Sequence, residues 1–147
     1  MPDRIKELLK DGKYDYAIIF AGTNDLGMYY MKNIAADITE DIIEIHNVPL
    51  SLNIPTIAVT LPLNTFENQT LYSKTRIEIN DGLIKFSKTI NNVHICNLEI
   101  PSDPCDIDYE DLESGDEEFW DDGLHLTPKG YDLLADSVYK VLKPLLV

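Results

Sequence analysis

Apolar positions in this chain fall into two rhythms that alternate along its length. Ile5, Leu8 and Leu9 recur at helical spacing ahead of Asp11-Gly12-Lys13, which predicts a short helix with a glycine stop. Tyr14-Asp15-Tyr16-Ala17-Ile18-Ile19-Phe20-Ala21 is then a nearly continuous apolar run ended by Gly22-Thr23-Asn24-Asp25. Such a run predicts a strand buried on both faces, as in a parallel sheet. From Asn33 to Leu52 the chain carries Ile34, Ile38, Ile42 and Ile45 with acids between them, the pattern of an amphipathic helix. Asn53-Ile54-Pro55 breaks it, and Thr56–Leu61 reads as a second buried strand closed by Pro62.

Leu63–Thr70 reads as a polar loop, Leu71–Thr89 as a second long helix and Val93–Leu98 as a third strand. Pro101–Asp121 is acidic and lacks periodicity. Thr127-Pro128 opens a last helix to about Leu145, with Thr127 as cap and Pro128 at the first helical position. Strands alternating with long helices predict an α/β domain on a parallel sheet, with no internal repeat and no linker.

The length of 147 residues suits a single domain, and 44% hydrophobic with 26% charged residues suits a globular one. The balance of 12 basic against 26 acidic residues, a net charge of −14, argues against nucleic acid and against anionic membrane surfaces. No apolar run is long enough to span a bilayer. The first residues, Met1-Pro2-Asp3-Arg4-Ile5-Lys6, hold no apolar core of a signal peptide, and the two cysteines make no disulfide framework. A cytoplasmic protein with reduced thiols is expected. The sequon at Asn68 carries little weight in that compartment.

Two local motifs carry candidate chemistry. Gly22-Thr23-Asn24-Asp25 ends a buried strand, where open parallel sheets bind ligands beyond their carboxyl edge. Asn24 there either aims its amide into the crevice as a donor or caps the following segment together with Asp25. Asp122-Gly123-Leu124-His125 precedes the last helix, and its three-residue offset lets the carboxylate fold back onto the imidazole. That contact fixes the tautomer and leaves the second ring nitrogen as a base. The plainer alternative is a solvated histidine in a loop.

Together the motifs carry a resemblance. Gly22-Thr23-Asn24-Asp25 resembles the third motif block of the SGNH, or GDSL-type, hydrolases, and Asp122–Tyr131 resembles their last block. The Ile57–Pro62 strand and the helix with Arg76, Asn80 and Leu83 also fit, so the likeness runs along essentially the whole chain. It looks closest to the isoamyl-acetate-hydrolysing branch. The resemblance implies a three-layer α/β/α flavodoxin-like fold and hydrolysis of a small ester without metal or organic cofactor. It makes Asn24 an oxyanion-hole donor, His125 the general base and Asp122 its orienting carboxylate in preference to Asp121. Trp120 and Phe119 would flank the site.

The family's Gly-Asp-Ser block, which bears the nucleophile, has no counterpart here, and neither does its second block. Ser51, Ser73, Ser87, Ser102, Ser114 and Ser137 all stand in other contexts. By that comparison the chain is a domain lacking the first two strands, without a nucleophile and inactive alone. Tyr16–Ala21 would become an exposed edge, with self-association or pairing to a complementary segment expected. A non-catalytic binding protein of the same ancestry is the alternative. Cys105 is a poor substitute nucleophile because Asp103, Asp106 and Asp108 raise its thiol pKa. Cys96 reads as core. Asp106, Asp108 and Glu110 match alternate positions of a calcium loop, but Asp111 stands where its turn requires glycine. His46 and His94 are isolated and suggest no metal site.

Overall fold

The computed structural model describes residues 2–101 and 118–146. The element order is α1 (Pro2–Leu8), β1 (Ala17–Ile19), α2 (Ile34–Ser51), β2 (Thr56–Val59), α3 (Thr70–Thr89), β3 (Val93–Cys96) and α4 (Pro128–Leu142). The three strands form one parallel sheet in the order β1-β2-β3, with Ile18 level with Ile57 and Ile57 level with His94. This is the α/β architecture that the alternating pattern predicts.

The pleat of β2 sorts its side chains between two helical layers. Ile57 and Val59 join Cys96, Leu98 and Val138 in a cluster against α4. Thr56 turns the other way and meets His46 of α2 at 2.7 Å. On that side α2 and α3 supply Ile38, Ile42, Ile79 and Leu83 to a larger cluster that takes in Ile19 and Leu61. All four β2 residues are buried, as expected for a strand covered on both faces.

β1 departs from that expectation. Only Ala17–Ile19 is strand, and Ile18 is 52% exposed. The register places Ile18 on the α4 face beside Ile57, but α4 covers β2 and β3 and stops short of β1. Among the described residues β1 pairs with β2 alone, so its outer edge is bare.

The helix ends follow local chemistry. Gly12 adopts φ 65° and its N–H donates to the Leu9 carbonyl, closing the 3-10 turn Leu9–Asp11 that continues α1 with the expected glycine stop. Thr127 caps α4 by accepting the Gly130 N–H at 3.2 Å, with Pro128 at the first position. Asn33 starts α2 in a left-handed conformation without a side-chain cap. His46 belongs to the core, fully buried beside the Phe86 ring. Ser102, Ser114, Cys105 and the calcium-like frame at Asp106–Asp111 lie outside the described residues. Among the described residues no helix is long and apolar enough to cross a membrane.

Candidate active site

The site forms at the carboxyl ends of the strands. After β1 the chain turns at Gly22, whose φ of 108° lies in the left-handed region open to glycine. A Cβ there would also stand 3.0 Å from Ile42 Cδ1, so the turn lies tight against α2. Asn24 then opens the single 3-10 turn Asp25–Met28, yet its side chain makes no capping hydrogen bond. Asn24 is exposed and its amide is left for the crevice. Asp25 is exposed as well and begins the turn.

After β2 the backbone of Leu61 is clamped by α3. Asn80 accepts the Leu61 N–H at 2.8 Å and donates to its carbonyl at 2.9 Å, and Arg76 donates to the same carbonyl at 3.2 Å. Two side chains of α3 thus do what a neighbouring strand would do, and they fix the exit of Pro62-Leu63-Asn64 into the site.

The third part is the loop between Trp120 and Leu126, which pair as an isolated antiparallel bridge. The Asp121 N–H donates to the His125 carbonyl at 2.9 Å, and the Thr127 N–H donates to the Phe119 carbonyl at 3.0 Å. Within this loop Asp122 Oδ1 accepts the backbone N–H groups of Leu124 at 2.9 Å and His125 at 2.7 Å, while Oδ2 meets His125 Nδ1 at 2.7 Å. Gly123 makes the fold-back feasible: its φ is 78°, and a Cβ would lie 1.9 Å from Thr65 Cγ2. Its carbonyl accepts the Thr65 N–H at 3.0 Å, docking the loop onto the turn after β2.

The electrostatics of the pair are directional. Partial desolvation pushes the Asp122 carboxyl up, but hydrogen bonds from the His125 backbone, the His125 ring and the Leu124 backbone, with the His125 charge, outweigh it. Together they lower its pKa from 3.8 to about 2. An ionised carboxylate only accepts, so in the neutral ring His125 Nδ1 carries the hydrogen and Nε2 keeps its lone pair. The hydrogen bond to Asp122, then the Asp122 charge, raise the His125 pKa above its ordinary 6.5, with Asp121 adding a smaller charge effect. Asp121 makes no side-chain bond to the ring; Asp122 does, as the motif implies.

Asn24 and His125 line one cavity of about 190 Å³, with Thr23, Leu124 and the fully buried Trp120. Phe119, expected beside Trp120, does not line it. Phe20, Pro62, Leu63 and Tyr131 also line it, as does the buried Asn64, which accepts the Phe66 N–H and donates to the Tyr72 hydroxyl. Asn64 was not singled out in the sequence, although its place just past a buried strand was a usable signal. Among the described residues no serine lines the cavity. Ser51, Ser87 and Ser137 donate to the helix carbonyls of Val48, Ile84 and Leu133. Cys96 is buried in the sheet, where desolvation raises its thiol pKa. Among the described residues no group of three or more His, Cys, Asp or Glu is placed to hold a metal.

A search of curated proteins finds no match. A family model described as GDSL-like Lipase/Acylhydrolase matches residues 2–138, from α1 through most of α4 and across both the Asn24 turn and the Asp122–His125 loop. By that match the chain belongs to the GDSL-like lipase/acylhydrolase family.

Proposed function

We propose that this chain supplies the base, the orienting carboxylate and one oxyanion donor of a carboxylic ester hydrolase, and that its serine lies outside these 147 residues. The observation that carries the reading is the shared cavity: the free Asn24 amide and the His125 ring line it, with Asp122 fixing the ring. In the complete site a serine Oγ attacks the ester carbonyl carbon and passes its proton to His125 Nε2. The carbonyl oxygen, now an oxyanion, takes a hydrogen bond from the Asn24 amide. Expulsion of the alcohol takes the proton from His125, and water then releases the acyl group by the same route. Asp122 holds the imidazolium without accepting its proton. A small ester substrate follows from the resemblance to the isoamyl-acetate-hydrolysing branch.

In this reading the 147-residue chain is the carboxyl-terminal part of an SGNH domain and is inactive alone. A non-catalytic binding role is favoured instead by one observation: among the described residues no serine or cysteine lines the cavity.

The test reads the native transcript through its 5′ end and assays the encoded protein on short-chain esters. An in-frame Gly-Asp-Ser segment is expected upstream. His125→Ala should cost at least about 10³ in turnover and Asn24→Ala about 10²–10³. A message that starts at Met1, or activity untouched by both substitutions, overturns the catalytic reading and leaves the binding one.

A further inference from the structure

Leu61 lies beyond the end of β2, yet it is only 1% exposed, so its backbone polar groups need partners inside the protein. The Thr60 N–H still reaches the Cys96 carbonyl of β3 at 3.0 Å. One residue later the partner is a side chain of α3. Asn80 Oδ1 accepts the Leu61 N–H at 2.8 Å, and Asn80 Nδ2 donates to the Leu61 carbonyl at 2.9 Å. An asparagine amide has one accepting end and one donating end, so it matches both groups of a single peptide edge. Arg76, one turn earlier, adds a second donor to that carbonyl at 3.2 Å.

The held backbone leads straight into the site. Pro62, Leu63 and Asn64 line the His125 cavity, and the Thr65 N–H donates to the Gly123 carbonyl at 3.0 Å. Gly123 stands between Asp122 and His125. Pro62 has a fixed φ, which leaves little slack between the held residue and the docked one. Asn80 itself does not line the cavity, so its route to His125 is this turn.

We infer that Asn80 is a positioning residue: by holding the Leu61 backbone it sets, through the turn to Thr65, where the Asp122–His125 loop stands over the cavity. The inference rests on the base role proposed for His125 and adds a residue of α3 to what that role requires. The plainer account is that Asn80 satisfies one buried peptide and stabilises the whole domain evenly.

Hydrogen exchange and ring titration of the isotope-labelled chain by NMR separate the two accounts. In the parent, the Leu61 and Thr65 amides should open together, in an equilibrium distinct from that of the β2 amides. Asn80→Leu removes both bonds at similar volume. It should speed Thr65 exchange about tenfold or more and change the β2 amides by less than about twofold. It should also bring the His125 midpoint down toward 6.5, as the Asp122 contact loosens. Asn80→Asp keeps the acceptor for the Leu61 N–H and leaves the carbonyl to Arg76, so its effect at Thr65 should fall between the parent and Asn80→Leu. Independent opening of Leu61 and Thr65 in the parent overturns the inference, and that measurement needs no variant to fold. Exchange that rises equally at Thr65 and across β2, or a His125 midpoint that Asn80→Leu leaves unchanged, overturns it as well. None of these readouts uses turnover. If they come out as expected but no Gly-Asp-Ser segment precedes the chain, Asn80 positions the loop and the base role falls. If the encoded protein is an esterase but the His125 midpoint ignores Asn80→Leu, the base role stands and Asn80 does not serve it.

Discussion

Asp122 engages His125 twice, once at the ring, where Oδ2 meets Nδ1 at 2.7 Å, and once at the backbone, where Oδ1 takes its N–H at 2.7 Å. The ring is therefore tethered to the same carboxylate that sets the course of its own main chain. Orientation and tautomer are fixed together, although His125 is largely exposed.

The first consequence is a pH dependence with a defined sign. The His125 pKa lies above 6.5, because Asp122 favours the protonated ring. The neutral ring, the form that the proposed base role requires, is thus lost as pH falls through a value above 6.5. Asp122→Asn removes the charge and should lower the His125 pKa toward 6.5, with the imidazole carbon-bound protons reporting the titration by NMR. An unchanged midpoint would mean that the carboxylate does not control the ring.

His46 predicts a stability change over a different range. Burial lowers its pKa from 6.5 to about 4, and among the described residues its Nε2 has no hydrogen-bond partner. The unfolded chain therefore takes up a proton before the folded one does. The stability from keeping His46 neutral is whole above pH 6.5, declines as pH falls, and is spent below about pH 4. The loss attributable to this residue amounts to about 3 kcal/mol. Urea unfolding at stepped pH should show that slope in the parent and a shallower one in His46→Gln, which keeps a partner for Thr56 without titrating. Equal slopes would place the acid sensitivity elsewhere.

Much of this arrangement was legible in the sequence because its causes are local. Asp122, Gly123 and His125 fall within four positions, so spacing alone placed the carboxylate against the ring. Thr127-Pro128 named the start of α4 for the same reason. β2 was legible because both its faces meet helices. β1 was not, because the exposure of Ile18 depends on how far α4, more than a hundred residues away, reaches across the sheet. The hold of Asn80 on Leu61 was equally hidden, since the two lie 19 residues apart and meet only once α3 has packed on the sheet. The burial of His46 depends on Thr56 arriving opposite it from the next strand.

Gly123 tests the coupling between the Asp122–His125 loop and the turn after β2. Alanine there must hold φ near 78° and place a Cβ 1.9 Å from Thr65 Cγ2. Strain and overlap together should cost about 2–4 kcal/mol. Thr65→Ser removes the colliding methyl and should restore part of that loss in the double variant, leaving the backbone strain. Thermal unfolding of the four proteins in the cycle gives the coupling directly. Gly123→Ala should also weaken the Asp122 contact and bring the His125 pKa down in the folded protein. An additive cycle would show that the two turns do not press on each other.

The outer flank of β1, unpaired among the described residues, predicts an association between copies of the chain. Ile18 is 52% exposed, Phe20 38% and Tyr14 43%, beside a strand that among the described residues is paired on one side only. Apolar edges of this kind template pairing with a second strand. The net charge of −14 opposes that contact between copies, and salt screens the repulsion over about 10 Å at 0.1 M. Self-association should therefore strengthen as salt is raised, the reverse of an interface held by ion pairs. Ile18→Lys places a cation on the exposed face without disturbing α4, which does not cover that position. It should shift the sedimentation profile toward monomer at equal concentration and salt. A profile unchanged by both salt and Ile18→Lys would show that copies of this chain do not meet through β1.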